Sequence, residues 1–289
     1  MRQLLPAGGP PGEVDPGQLA CLYAYPPAGR PWVRANMVAS VDGAASVGGR
    51  SGGLSGRADR EIFGLLRSLA DVILVGAGTA RAEHYRPARP ATIRPELRAG
   101  RSATPPIAII SGRLDLDPGV ALFTAAPPDA RTIVITCERA PHEQQAAVAE
   151  CADVVVAGAE QVDLKAALEA LRARGYRRVL TEGGPHLLGQ LAAAGLLDEL
   201  CLTISPLLAG PGPGRIVGGE TIPGGLPLTL GHLLADEGFL LGRYTVAADK
   251  RRLYANAPGD RARPPRGPSR WPVAAGRARN RPPPPPRGR

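Results

Sequence analysis

The chain has 289 residues, 44% of them hydrophobic and only 4% aromatic, which is enough apolar material for one large or two small domains cored by small aliphatic side chains. No apolar run is long enough to span a membrane, and the start Met1-Arg2-Gln3-Leu4-Leu5-Pro6 lacks the hydrophobic region of a secretion signal, so a cytoplasmic address is expected. The net charge of +9 does not mark the body as a nucleic-acid binder, because between Lys250 and Arg289 twelve basic residues face one acid, Asp260, while residues 1–249 carry 23 basic and 25 acidic side chains.

The elements follow in order. Residues 1–30 are a proline- and glycine-rich lead-in. Val33 to Ser40 predicts a strand closed by the turn Asp42-Gly43, followed by a flexible loop Gly48-Gly49-Arg50-Ser51-Gly52-Gly53. Ser55-Gly56-Arg57-Ala58-Asp59 opens a helix whose apolar positions Ile62, Phe63, Leu65, Leu66 and Leu69 keep a helical period. Asp71 to Val75 predicts a buried strand ending in the turn Gly76-Ala77-Gly78-Thr79. Strands are predicted again at 107–110, 132–136 and 153–156, then a helix from Leu164 to Arg174 and a strand at 178–181. Near the end, 199–206 and 238–246 predict strands with no long helix between them, which fits an antiparallel edge or a dimer-forming ribbon. The tail 250–289 has no apolar periodicity and is expected to be disordered. Such a tail could touch a nucleic acid electrostatically, but its composition is more simply what a GC-rich gene gives when read past its usual end.

Strands too apolar to have a wet face, alternating with helices, predict a mainly parallel α/β sheet covered on both sides. Ligands in such sheets sit at the carboxyl ends of the strands, and the turns after Ser40, Val75 and Thr181 fall at such ends. In Thr181-Glu182-Gly183-Gly184-Pro185-His186-Leu187-Leu188 a strand, a glycine turn carrying an acid and a helix start follow one another. That arrangement aims backbone N–H groups and the positive end of a helix dipole at one spot, which suits a phosphate. Glu182 is a candidate for holding a substrate hydroxyl or handling a proton, the alternative being a solvated turn acid. Asp42 either closes a tight turn or orients a ligand amide, and Thr79 either grips a phosphate or caps a helix. His186 receives no proton-transfer role. Cys21, Cys137, Cys151 and Cys201 lie far apart without zinc-ligand spacing, so no metal site is expected.

The segments Asn36 to Gly43, Leu66 to Thr79, Thr181 to Pro185, Leu197 to Leu200 and Ser205 to Gly210 together resemble the C-terminal reductase domain of the bifunctional riboflavin-biosynthesis deaminase/reductase, in its stand-alone pyrimidine reductase form. The resemblance runs over about residues 30 to 248, giving a reductase domain at 31–249. It implies a dihydrofolate-reductase-like α/β fold, usually a homodimer. It further implies reduction of 5-amino-6-(5-phosphoribosylamino)uracil, a phosphorylated pyrimidine, with hydride passing from NADPH to the sugar C1′. Carried over by position, Val38, Gly53, Thr79, Glu83, Ser111 and the run from Gly183 and Gly184 through Pro185, His186, Leu187 and Leu188 towards Gln190 fall on cofactor contacts. Ser51, Arg67 and Glu182 fall on substrate contacts, with Glu182 and Asp42 the catalytic candidates. Where the family pattern continues to Asp-Pro and a substrate arginine, this chain has Glu83-His84-Tyr85-Arg86-Pro87-Ala88-Arg89-Pro90, which leaves Arg86 or Arg89 for the substrate. Two other functions stay open: reduction of another heterocycle such as dihydrofolate or a pterin, and non-catalytic nucleotide or RNA binding through the tail.

Overall fold

The computed structural model describes residues 1–6, 12–27 and 29–247. The basic tail lies outside the described residues. In chain order the elements are β1 (Arg2–Leu5), α1 (Pro16–Leu22), β2 (Trp32–Ser40), α2 (Arg57–Leu69), β3 (Val72–Gly76), α3 (Ala77–Ala82), β4 (Ile107–Ile110), α4 (Ala121–Thr124), β5 (Ile133–Thr136), α5 (His142–Cys151), β6 (Asp153–Val156), α6 (Leu164–Ala173), β7 (Arg178–Thr181), α7 (Pro185–Ala193), β8 (Glu199–Ser205), β9 (Leu228–Asp236) and β10 (Phe239–Val246).

The strands form one sheet in the order β1-β9-β10-β8-β2-β7-β3-β4-β5-β6. From β8 through β6 every neighbouring pair is parallel, as the unbroken apolar runs predict. The expected antiparallel edge is present and wider than expected, because β10 pairs with both β8 and β9, and β1 closes on β9. The segment before residue 31 is more than a lead-in. Asp15 caps α1 by accepting from the N–H of Gly17 and Gln18, the Gln18 side chain returns a bond to the Asp15 N–H, and Leu19 and Tyr23 enter the core.

Alternate residues of each central strand serve opposite faces. Ile73 and Val75 pack with Ile62, Leu65 and Leu66 of α2, whereas Val72 and Leu74 pack with Leu168 and Leu171 of α6 and Leu187, Leu188 and Leu191 of α7. Beneath the first face, Arg34 of β2 is fully buried and its Nε lies 2.6 Å from Glu199 of β8, which also accepts from Arg243 of β10 at 2.8 and 3.0 Å. Arg34 stacks on Tyr25 at 3.9 Å. These cations outweigh burial and hold the Glu199 carboxyl below its ordinary range. β2, β8 and β10 are thereby tied at a single carboxylate, where the parallel part of the sheet meets the antiparallel edge.

Candidate active site

A cavity of about 710 Å³ opens at the carboxyl ends of β2, β3 and β7, where parallel sheets place ligands. Its floor is Asn36, Met37 and Val38 of β2. One wall is a stripe of α2, for Arg60, Phe63, Gly64 and Arg67 are spaced so that they share a helix face while Ile62, Leu65, Leu66 and Leu69 point to the core. The opposite wall is the segment after α3, with Glu83, Tyr85, Arg86 and Arg89.

Glu182 follows β7 and is only 8% exposed. Its N–H bonds to Leu74 O at 3.1 Å, which fixes the backbone against β3. Arg67 reaches the carboxylate from α2 with two parallel bonds, Nε to Oε1 and Nη2 to Oε2, both 2.7 Å, and the Tyr85 hydroxyl donates to Oε2 at 2.6 Å. The guanidinium also lies over the Phe63 ring at 4.2 Å. Burial works against the charge of Arg67, but Glu182 and its hydrogen bonds overcome it and keep Arg67 above its ordinary range. Burial, then the Glu182 charge, pushes the Tyr85 phenol well up, so it stays a donor.

The glycine turn brings β3 and β7 together. The Gly76 N–H bonds to Gly183 O at 2.9 Å, and Gly183 adopts φ +86 with Met37 Sδ 3.3 Å from where its Cβ would be. A Cβ on Gly184 would overlap the Thr79 hydroxyl, so a side chain here forces Thr79 to move. Gly184 is the N-cap of α7, whose first internal bond runs from Leu188 N–H to Gly184 O. The N–H groups of His186 and Leu187 precede it and are left by helix geometry for an outside acceptor.

The sequence expectations divide against this geometry. Val38, Ser51, Thr79, Glu83, Arg67, Arg86, Arg89 and Glu182 are brought together around the cavity. Arg67, expected on the substrate, has two of its nitrogens engaged by Glu182. Glu83 accepts from the Ser51 N–H at 2.8 Å and so anchors the loop between β2 and α2. Asp42 is not on the cavity. Its oxygens accept from the Ser40 hydroxyl, from Ala209 N–H at 3.1 Å and from Gly210 N–H at 2.8 Å, so it fastens the end of β2 to the loop after β8. Those donors hold its carboxyl down at about 2. Gly53 faces Val47, with 3.1 Å left for a Cβ, and lies outside the lining that Gly52 joins. Ser111 is buried after β4, where its hydroxyl accepts from Leu114 N–H at 3.1 Å. Leu187 and Leu188 turn their side chains into the core, which leaves only backbone to face a ligand, while His186 is exposed. The Gly76-Ala77-Gly78-Thr79 turn is the start of α3, with Gly76 as N-cap and Thr79 inside the first turn. Tyr85 carried no expectation, and its only sequence signal is an aromatic inside the segment that departs from the family pattern. Among the described residues no group of His, Cys, Asp or Glu could hold a metal ion.

A mainly parallel sheet with a cavity of basic and acidic side chains at its strand ends, flanked by a glycine-opened helix, defines an α/β protein that takes its ligand at the carboxyl edge of the sheet. The chain belongs to the RibD C-terminal domain family, whose model matches residues 31–237. It is 33% identical over 184 residues to the 2,5-diamino-6-ribosylamino-4(3H)-pyrimidinone 5′-phosphate reductase of Archaeoglobus fulgidus, covering 63% of this chain and 83% of that one. It is 31% identical to the enzyme of the same name from Methanothermobacter thermautotrophicus, covering 67% and 86%. The fold superposes on the crystal structure of a pyrimidine reductase-like protein from Corynebacterium diphtheriae with a TM-score of 0.67 at 31% identity, covering 76% of this chain and 93% of that one.

Proposed function

We propose that the protein is an NADPH-dependent reductase of a ribosylaminopyrimidine 5′-phosphate in riboflavin biosynthesis. The observation that carries this reading is the Arg67–Glu182–Tyr85 constellation on a cavity that also presents Arg60, Arg86 and Arg89. Among the described residues these three exposed arginines have no ion-pair partner, so they are available to a phosphate, which accepts guanidinium donors from several directions.

The glycine turn fits the cofactor. The open space around Gly78 and the first N–H groups of α7, which the absent Cβ at Gly184 lets pack against Thr79, would make a backbone cradle of the kind a pyrophosphate takes. Thr79 and the first turn of α7 would hold the nucleotide, whose nicotinamide supplies the hydride when bound. The chain's own residues position and charge the site. Glu182, fixed in place by Arg67, accepts a hydrogen bond from the sugar, and the Phe63 and Tyr85 rings wall the cavity beside the Arg67 guanidinium.

Glu182 already gives both oxygens to Arg67, so the paired N–H edge that the pterin of dihydrofolate and a 2-amino-4(3H)-pyrimidinone share does not bind there, and the sugar is the part of a ribosyl substrate left to meet it. The test is NADPH oxidation with the diaminopyrimidinone phosphate named for the archaeal relatives and with its uracil counterpart. Turnover of neither, with NADPH bound, would defeat the reading.

A further inference from the structure

Tyr85 sits where this chain departs from the family's Asp-Pro. His84 takes φ +50 and the Tyr85 N–H bonds to Ala80 O at 2.9 Å, so the backbone after α3 folds back and delivers the phenol to the carboxylate. An ionised carboxylate has about four acceptor positions. The Arg67 fork takes one on each oxygen of Glu182, and the Tyr85 hydroxyl takes a second on Oε2. One position is left, on Oε1, on a residue that lines the cavity.

We propose that Tyr85 is a positioning residue that holds the Glu182 carboxylate with one open acceptor position, and that this position receives a single sugar hydroxyl of the substrate. The inference rests on the reductase reading and deepens it, because it names the part of the substrate that meets Glu182 and a residue that limits how many donors can do so. A ligand group with one donor is served by the site, and a group with a paired donor edge is not. The ring of Tyr85 also stays within 5.8 Å of the Arg67 guanidinium, so Tyr85→Phe keeps the packing and removes only the hydrogen bond.

A double-mutant cycle tests this with wild type, Tyr85→Phe, Glu182→Gln and the double variant, assayed with NADPH and the ribosylaminopyrimidine phosphate. Tyr85→Phe is expected to lower kcat/KM about tenfold, the loss of one hydrogen bond to a charged group. NADPH affinity should stay at the wild-type value, and Tm should fall by no more than a few degrees, as the loss of one hydrogen bond implies. In the Glu182→Gln background the same change should cost less than about twofold, since residues acting as one unit are not additive. Wild-type activity in Tyr85→Phe, or losses that simply multiply, would overturn the proposal. A second measurement needs no turnover: in protein labelled at tyrosine Cζ, the Tyr85 resonance should move on Glu182→Gln, and a stationary resonance would remove the contact. Wild-type enzyme that binds NADPH but reduces neither pyrimidine would defeat the reductase reading and the sugar-hydroxyl assignment with it, while the resonance alone then decides whether Tyr85 positions Glu182.

Discussion

Arg67 of α2 and Glu182 after β7 are 115 residues apart in sequence and are joined by two parallel hydrogen bonds of 2.7 Å. The pair locks one wall of the cavity to the end of the sheet, and its loss is asymmetric. Glu182→Gln keeps the shape and one acceptor, so NADPH binding should persist while kcat falls about a hundredfold, the scale of a lost charge-stabilising group. Arg67→Met leaves a buried carboxylate without its cation and should lower stability by about 3–5 kcal/mol. Nicotinamide fluorescence, steady-state rates and urea unfolding separate the two variants. Unimpaired turnover in Glu182→Gln would take Glu182 out of the mechanism.

Thr79 and Gly184 make a second such lock, steric rather than ionic. Gly184→Ala drives a methyl into the Thr79 hydroxyl and should cost about 1–3 kcal/mol of stability, the usual range for overpacking. Thr79→Ala removes the obstructing atom. The double variant should therefore unfold close to wild type although it carries both changes. A double variant no more stable than Gly184→Ala would place the clash elsewhere.

Asp42 illustrates a residue whose type suggested chemistry and whose partners give it a fastening role. Its carboxyl is lowered from 3.8 to about 2, chiefly by the Ser40 hydroxyl and then by the N–H groups of Ala209 and Gly210. A carboxyl depressed in the folded state adds stability that is complete above the unfolded value and is lost as pH falls through the folded one. The contribution of Asp42 should thus disappear between about pH 4 and pH 2. Asp42→Asn should flatten acid unfolding in that window and leave kcat within about twofold, since the side chain is off the cavity. A large loss of kcat would return Asp42 to the active site.

His232 of β9 gives the opposite half of the sheet its own pH dependence. Burial, aided by Arg243 and Arg34 and opposed by Glu199, pushes its imidazole down to about 4, and its ring meets Tyr23 edge-on at 4.7 Å. The folded state therefore binds this proton less readily than the unfolded chain, so stability is complete above about pH 6.5 and falls as pH drops towards 4. His232→Phe keeps an aromatic ring against Tyr23 and has nothing to protonate. Urea midpoints at pH 7.5 and 5 should differ less in the variant than in wild type, and an unchanged difference would show that other groups carry the acid sensitivity.

Much of this architecture was legible because the central strands are uniformly apolar and the helix at Arg57–Leu69 keeps a clean period; both signals are local. The elements that escaped lack that signal. β9 is interrupted by Gly231 and His232 and is largely exposed at its start, and it exists because β10 pairs along it. α1 sits in a proline-rich stretch and is announced only by its Asp15–Gln18 cap. In the site, Glu182 and the glycines were readable from the strand–turn–helix junction, whereas Tyr85 was not. Its role depends on a carboxylate 97 residues away that no spacing rule connects to it. The fastening role of Asp42 was hidden for the same reason, since the Ala209 and Gly210 N–H groups that occupy it lie more than 160 residues downstream.

The choice of substrate turns on the phosphorylated sugar. Side by side, the diaminopyrimidinone ribosyl phosphate, its uracil counterpart and dihydrofolate offer the cavity a phosphorylated sugar in the first two cases and a carboxylate-bearing tail without a sugar in the third. The arginines at 60, 86 and 89 can pair with a phosphate or with a carboxylate, whereas the position left on Glu182 meets a lone hydroxyl, which only the sugars supply. The expected outcome is NADPH oxidation with a ribosyl phosphate and none with dihydrofolate. Arg86→Ala and Arg89→Ala should then raise KM for the phosphate about tenfold or more with little change in NADPH affinity, as the loss of a charged hydrogen bond to the ligand predicts. Removing the phosphate from the substrate should erase the difference between these variants and wild type. If dihydrofolate is turned over instead, Glu182 must release Arg67 on binding, and a crystal structure with that ligand would have to show the 2.7 Å pair broken.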